Sequence, residues 1–190
     1  QYSHIAFWDD DIETDTRTIN RLFSVCQNLD LVLAQPGLSA DSVCFWKDLL
    51  KSVAGSMFHR TKTVEIMCPV LRGDFFGEMW SHFRGLNVGW GFDTIHWIKL
   101  MHDRGHVADG KVGVVDFATV GHTRALGSGE FYKNGAARTG QAEIRKWQLH
   151  HRAETKGFGN LERNPIFQNP MTALTDAKGN LMSIPIPTHP

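Results

Sequence analysis

His4-Ile5-Ala6-Phe7-Trp8-Asp9-Asp10-Asp11 is a bulky apolar run that stops abruptly at three carboxylates. It does not alternate between apolar and polar residues as a half-exposed strand would, so it predicts a strand buried on both faces. Buried strands of this kind belong to parallel α/β sheets, whose ligands bind at the strands' carboxyl ends. The next segment fits that class. Thr14 or Asp15 caps a helix in which Ile19, Leu22, Phe23 and Cys26 recur at helical spacing. Residues 31–34 read as a second strand, and Gln35-Pro36-Gly37 as the turn that ends it. Residues 41–53 fit a helix or a structured loop equally. A strand is expected at 63–67, ended by Cys68-Pro69. Helices are expected at 73–83, with Phe75, Phe76, Met79 and Trp80 on one side, and at 93–102. Val-rich residues 111–120 return to a strand.

The 190 residues fit one domain of ordinary size. Six Trp, twelve Phe and two Tyr supply a large core and exclude disorder for most of the chain. Twenty basic and twenty acidic side chains cancel, which argues against a surface given over to nucleic acid or anionic lipid. No nucleic-acid partner is expected. No apolar run approaches the roughly 18–20 residues of a membrane span, so no span is expected in this chain. No signal peptide is visible, and a chain that opens on Gln1 reads as a fragment or a processed product. Cys26, Cys44 and Cys68 are odd in number, widely spaced and without a CxxC pair, which argues against a disulfide framework and a cysteine zinc knuckle. Beyond residue 128 Gly, Asn, Lys and Arg dominate, and five of the seven prolines lie beyond residue 155. A folded portion over 1–133 and an irregular extension over 134–190, with a helix at 141–152, are expected.

Three segments could carry chemistry. Adjacent carboxylates repel unless a cation or hydrogen-bond donors hold them, and carboxylate oxygens suit hard cations such as Mg²⁺ and Mn²⁺. In extended chain Asp9 and Asp11 point to one side and Asp10 to the other, so Asp9 and Asp11 could share a metal–nucleotide site. The plain alternative is a solvated acidic turn capping the next helix. In Gly89-Trp90-Gly91-Phe92-Asp93 two glycines permit a tight turn or close backbone approach to a ligand. Asp93 is then an N-cap and no more, or a general base at a pocket mouth, with the Trp90 ring offered to a sugar. In Gly121-His122-Thr123-Arg124 the imidazole can ligate a divalent metal and Arg124 can pair with phosphate; alone, His122 reads as a surface residue. Glu65, flanked by apolar residues, lies on the wet face of a strand or in a site. His102 and His106 are four apart, but Gly105 breaks the helix that would align them, and His150-His151 reads as a solvated helix end. There is no P-loop, GxGxxG or GxSxG pattern.

The apolar run ending in Asp9-Asp10-Asp11 resembles the DxD metal motif of GT-A glycosyltransferases, and Gly89 to Asp93 resembles the Gly-Trp-Gly segment whose following acidic residue serves there as base. Many members have Glu-Asp where this chain has Phe92-Asp93. The order of DxD, base loop and late His also agrees. A nearer resemblance, over roughly residues 1 to 133, is to a family of plants and bacteria whose plant members are labelled "lysine ketoglutarate reductase trans-splicing related". It rests on Asp9 to Asp11, Glu65-Ile66-Met67-Cys68-Pro69-Val70, Gly89 to Asp93, and His122-Thr123-Arg124. The reductase label fits no dinucleotide fingerprint here.

The resemblance implies a GT-A-like mixed sheet with flanking helices. Only eight residues precede Asp9, so the N-terminal βαβ half of that fold would be missing and a sheet edge exposed. It further implies sugar transfer from a nucleotide-sugar donor, most simply a UDP-sugar, to a hydroxyl of a glycan or other acceptor, with inversion. Asp9, Asp11 and His122 would hold Mn²⁺ or Mg²⁺. Asp9, Asp10 and Arg124 would contact the donor. Asp93 would be the base, and Glu65, Trp90 and Gly91 would line the acceptor side. A bacterial source would place such a protein in the cytoplasm, and a plant source in the Golgi lumen. The alternatives are a domain that binds carbohydrate or nucleotide without chemistry, a metal-dependent phosphoryl hydrolase, and an interaction module.

Overall fold

In the computed structural model the described residues are 2–44, 56–125, 137–154 and the single positions 128, 133 and 135. Six strands form a mixed sheet: β1 (His4–Ala6), β2 (Ile12–Glu13), β3 (Leu33–Leu38), β4 (His59–Arg60), β5 (Val70–Arg72) and β6 (Val112–His122). The order is β1-β5-β3-β6-β2, with β4 also pairing β6. Four helices accompany it: α1 (Thr16–Asn28), α2 (Gly73–Phe83), α3 (Trp97–Asp103) and α4 (Ala137–Glu154). A π-helical turn over Phe92–His96 runs directly into α3.

The centre is the parallel pair β3–β6, with Leu33 opposite Val112 and Ala34 opposite Gly113. Side chains alternate across it. Leu33, Leu71 and Val112 join Phe75 and Met79 of α2, Phe92, Trp97 and Met101, and Trp147 of α4 in one core. Ala34, Val70 and Val115 join Leu22, Val25 and Cys26 of α1, with Met57 and Phe58, in another. Period-two alternation thus covers the sheet on both faces, as an α/β domain requires. Helix α1 starts where expected, with the Asp15 carboxylate accepting from the Thr18 N–H at 2.7 Å.

Several expectations are corrected. The opening run does not form a buried parallel strand: β1 pairs only β5, antiparallel, at one end of the sheet. The bulky residues of the run lie just past β1 and serve the two helix layers. Phe7 packs on Phe83 of α2, ring centroids 5.2 Å apart, while Trp8 packs with the α1 side. Gln35-Pro36-Gly37 is not a terminating turn but part of β3, where the register shifts between Pro36 and Gly37; proline is tolerated at such an irregularity. Residues 63–67 form no strand; the strand is β5, just after Pro69. Trp80 is exposed, unlike Phe75 and Met79 on the same helix. The helix expected at 93–102 begins as the π turn. Of 41–53, residues 41–44 are not helical and the rest lie outside the described residues.

The helix expected at 141–152 is present and longer, as α4. It is built into the main core: Trp147 is buried there and Ile144 packs against it. Gly91, at φ +82°, lies under α4; a Cβ there would stand 3.1 Å from the Ile144 Cα and 3.3 Å from the Trp147 ring. Gly91→Ala is therefore expected to cost about 1–2 kcal/mol for the left-handed backbone alone, and more from crowding a helix backbone. Urea unfolding of the variant measures it; a loss no greater than the backbone cost would mean that α4 does not rest on this turn.

Candidate functional site

The turn from Asp9 to Ile12 leads into β2, which pairs with the end of β6 so that Ile12 lies opposite His122 and Glu13 opposite Gly121. That pairing sets Asp11 beside His122. The Asp11 carbonyl accepts from the Thr123 N–H at 3.2 Å and from its hydroxyl at 3.1 Å, which fixes the backbone. The Asp11 carboxylate lies 3.2 Å from His122 Nε2. Asp9, Asp11 and His122 each present a ligand atom within 4.8 Å of the others. Asp10 turns away to the surface, where its carboxylate accepts two hydrogen bonds from Arg124, at 3.0 and 3.2 Å.

The His122 ring is oriented from behind. Its Nδ1–H donates to the Val43 carbonyl, and its backbone N–H donates to the Ser42 hydroxyl at 2.9 Å. With Nδ1–H so engaged, a neutral ring turns the Nε2 lone pair toward the Asp11 carboxylate. Lone pair against anion is unfavourable unless a proton or a cation lies between them. A carbonyl that fixes the far nitrogen is also the outer partner that metal-bound histidines use. Loss of solvent, then the Asp11 charge, raises the Asp9 pKa above the usual carboxylate range, and His122 opposes the rise. Two carboxylates and an imidazole with this orientation fit a divalent cation held mainly by oxygen, such as Mn²⁺ or Mg²⁺.

The irregular segment 65–68 is the wall shared with the other expected residues. The Glu65 N–H donates to the Gln35 side-chain oxygen at 2.7 Å, and the Asp9 N–H donates to the Met67 carbonyl at 2.8 Å. Between them the Ile66 backbone N–H acts on the Asp93 carboxyl and favours its charged form. Cys68 reports the proximity of both acids: burial first, then the fields of Glu65 and Asp9, push its thiol well up. Glu65 is itself buried. Cys26 is likewise buried and pushed up to about 12, so neither thiol is a ready nucleophile.

Asp93 is the second residue of the π turn and is 9% exposed. Burial raises its pKa to about 6, against the smaller opposing influence of the backbone N–H groups of Ile66, Asp93 and Thr94. The two glycines of this loop make close approaches, but to protein. A Cβ on Gly89 would collide with the Ile66 side chain, and Gly91 lies under α4. Gly140 of α4 closes on the Trp90 ring, so protein covers that face.

Sequence reading missed Gln35, Ser42 and Val43, whose roles are supporting and leave no motif, and it misplaced His150-His151. His151 is buried rather than solvated, against His96 of the π turn. Spacing could not show this, because His96 and His151 lie 55 residues apart.

Fold and site together describe a mixed α/β domain in which Asp9, Asp11 and His122 present ligand atoms that could hold a metal ion. No family model, curated protein or solved structure matches the chain.

Proposed function

We propose that the domain is a cation-dependent glycosyltransferase of GT-A type, moving a sugar from a UDP-sugar to a hydroxyl of a glycan or similar acceptor with inversion. One observation carries the reading. Asp9 and Asp11, from the acidic triplet, converge on a His122 ring whose far nitrogen is already fixed. In this reading those three residues hold Mn²⁺ or Mg²⁺, which when bound neutralises charge developing on a leaving diphosphate. Asp93 accepts the acceptor's hydroxyl proton. The hydroxyl oxygen attacks the anomeric carbon while the carbon–oxygen bond to the diphosphate breaks on the opposite face. A base near 6 suits this step, being ionised at neutral pH yet more basic than an ordinary carboxylate. Glu65 borders the same wall on the acceptor side, and the Asp10–Arg124 pair can exchange partners to meet a phosphate.

A second reading, a nucleotide- or carbohydrate-binding domain without transfer, is favoured by one observation. The Asp93 carboxyl is buried inside the π turn, where neighbouring backbone N–H groups favour its charge, as suits a group that serves the fold.

The test common to both is thermal unfolding of this chain with UDP, GDP, CMP or ADP, each with and without Mn²⁺. A ligand at 100 times its Kd stabilises by about 2.7 kcal/mol. The expected result is a Mn²⁺-dependent rise with UDP that Asp11→Asn abolishes. No response to any nucleotide with Mn²⁺, from a cooperatively unfolding chain, would overturn the transferase and the nucleotide-binding reading alike.

A further inference from the structure

A second cluster of ligand-type side chains, all histidines, lies where α2, the π turn and α4 meet. His82 is near the end of α2, His96 closes the π turn, and His150 and His151 are adjacent on α4. His82 Nδ1 is 2.6 Å from His96 Nε2, and His96 Nδ1 is 3.0 Å from His151 Nε2. The Trp147 ring stacks on His96, centroids 4.0 Å apart and planes 23° from parallel. His96 is 0% exposed and His151 1%. One ring nitrogen from each of His96, His150 and His151 lies within 4.8 Å of the others.

The protons constrain this arrangement. A neutral imidazole carries one N–H, and His96 has a ring nitrogen close at both of its own. If Nε2–H donates to His82, then Nδ1 is a lone pair aimed at His151. His82 thereby acts on His96 as Val43 acts on His122: it takes the far N–H and leaves the near nitrogen's lone pair facing His151 Nε2, 3.0 Å away. Protonating His96 instead would place a charge at a fully buried position among three other imidazoles. A largely buried set of imidazoles suits a borderline-soft metal such as Zn²⁺ and not the hard cation that suits the carboxylates of the first site.

We infer that His96, His150 and His151 form a transition-metal site, Zn²⁺ being the fitting ion, that fastens α4 to the π turn, with His82 orienting His96. The site is separate from the Asp9–Asp11–His122 group and does not depend on the transferase reading. Its consequence is local. The π turn begins one residue before Asp93 and ends at His96, so metal at its far end would hold the segment that carries Asp93.

The experiment uses the 190-residue chain, stripped by chelator and carrying Asp11→Asn to remove the first site. Co²⁺ is titrated as a spectroscopic stand-in and then displaced by Zn²⁺. The expected result is one equivalent of Co²⁺ with visible absorption of nitrogen-ligated, low-coordinate metal, displaced by Zn²⁺. Adding His150→Ala or His151→Gln should weaken binding by at least about 10-fold, since loss even of an outer-sphere partner costs that much. Adding His82→Phe should weaken it less while keeping the spectrum. Buried His151 variants can misfold, so hydrogen exchange of the Asp11→Asn chain with and without Zn²⁺ is the second measurement. Added protection concentrated at residues 92–96 and 147–151 is expected. The proposal is overturned if the Asp11→Asn chain binds no Co²⁺, if His150→Ala leaves binding unchanged in a folded protein, or if Zn²⁺ adds no protection at those residues. Each result would make the cluster a neutral stack of hydrogen-bonded imidazoles.

Discussion

Asp116→Ala is expected to destabilise the domain by about 3–5 kcal/mol, the usual cost of removing one partner from a buried ionic or charge-assisted pair. Asp116 lies midway along β6 at 0% exposure, and its two carboxylate oxygens are 2.9 and 3.0 Å from His59 Nδ1 of β4. Beyond its backbone pairing to Gly113 and Val114, β4 is two residues long, so this side-chain pair contributes a large part of its attachment. Truncation leaves the His59 Nδ1–H without its acceptor in a place where Nε2 already has no hydrogen-bond partner among the described residues. It also leaves a cavity. Against a typical total stability of about 5–15 kcal/mol the loss is large. The double variant His59→Phe, Asp116→Leu should recover most of it, because apolar replacement of both partners removes the unsatisfied donor as well as the acceptor. Urea unfolding of the three proteins measures the set. A single variant within about 1 kcal/mol of the parent would mean that the pair is wet or easily replaced. The effect reaches the site through the strand, since His122 is the last residue of β6.

How far the sequence foretold this arrangement depended on whether the cause was local. Helix α1 was legible because its Asp15 cap and its apolar stripe are written within one segment. The same holds for α2 and for the Val-rich β6. Glycine and proline punctuation misled at Gln35-Pro36-Gly37, because a shift in pairing with β6 accommodates residues that ordinarily end a strand. The acidic triplet was legible as a convergence of Asp9 and Asp11 away from Asp10, although the separation arises in a turn and not in extended chain. Tertiary contacts were not legible. Nothing near Trp90 announces that Gly140 will cover it, and nothing near His96 announces His151. Burial of Asp93 was also hidden, because it depends on Ile66 and on the packing of the π turn that contains Asp93.

That burial supplies the sharpest test of what Asp93 is for. Folding raises its pKa from 3.8 to about 6. Between those values the folded state binds more proton than the unfolded one, so the group's contribution becomes steadily less favourable as pH rises through that window. At 1.36 kcal/mol per unit the penalty reaches roughly 3 kcal/mol, as an upper figure, above pH about 6. Asn carries no charge to desolvate. Asp93→Asn should therefore be more stable than the parent at pH 7.5, by up to that amount less whatever the amide loses against the neighbouring backbone N–H groups. The difference should shrink toward pH 4. A carboxylate serving only as a cap predicts the reverse sign, a less stable variant at neutral pH. If Asp93 is also the base, transfer measured with a UDP-sugar should fall by about 10²- to 10⁴-fold in the same variant. The parent's rate should decline below pH about 6 as the carboxylate takes up its proton. Greater stability together with lost turnover is the mark of a group held in an unfavourable state for chemistry. Unchanged turnover in Asp93→Asn would remove the base from the proposed mechanism and leave a domain that binds its nucleotide without acting on it.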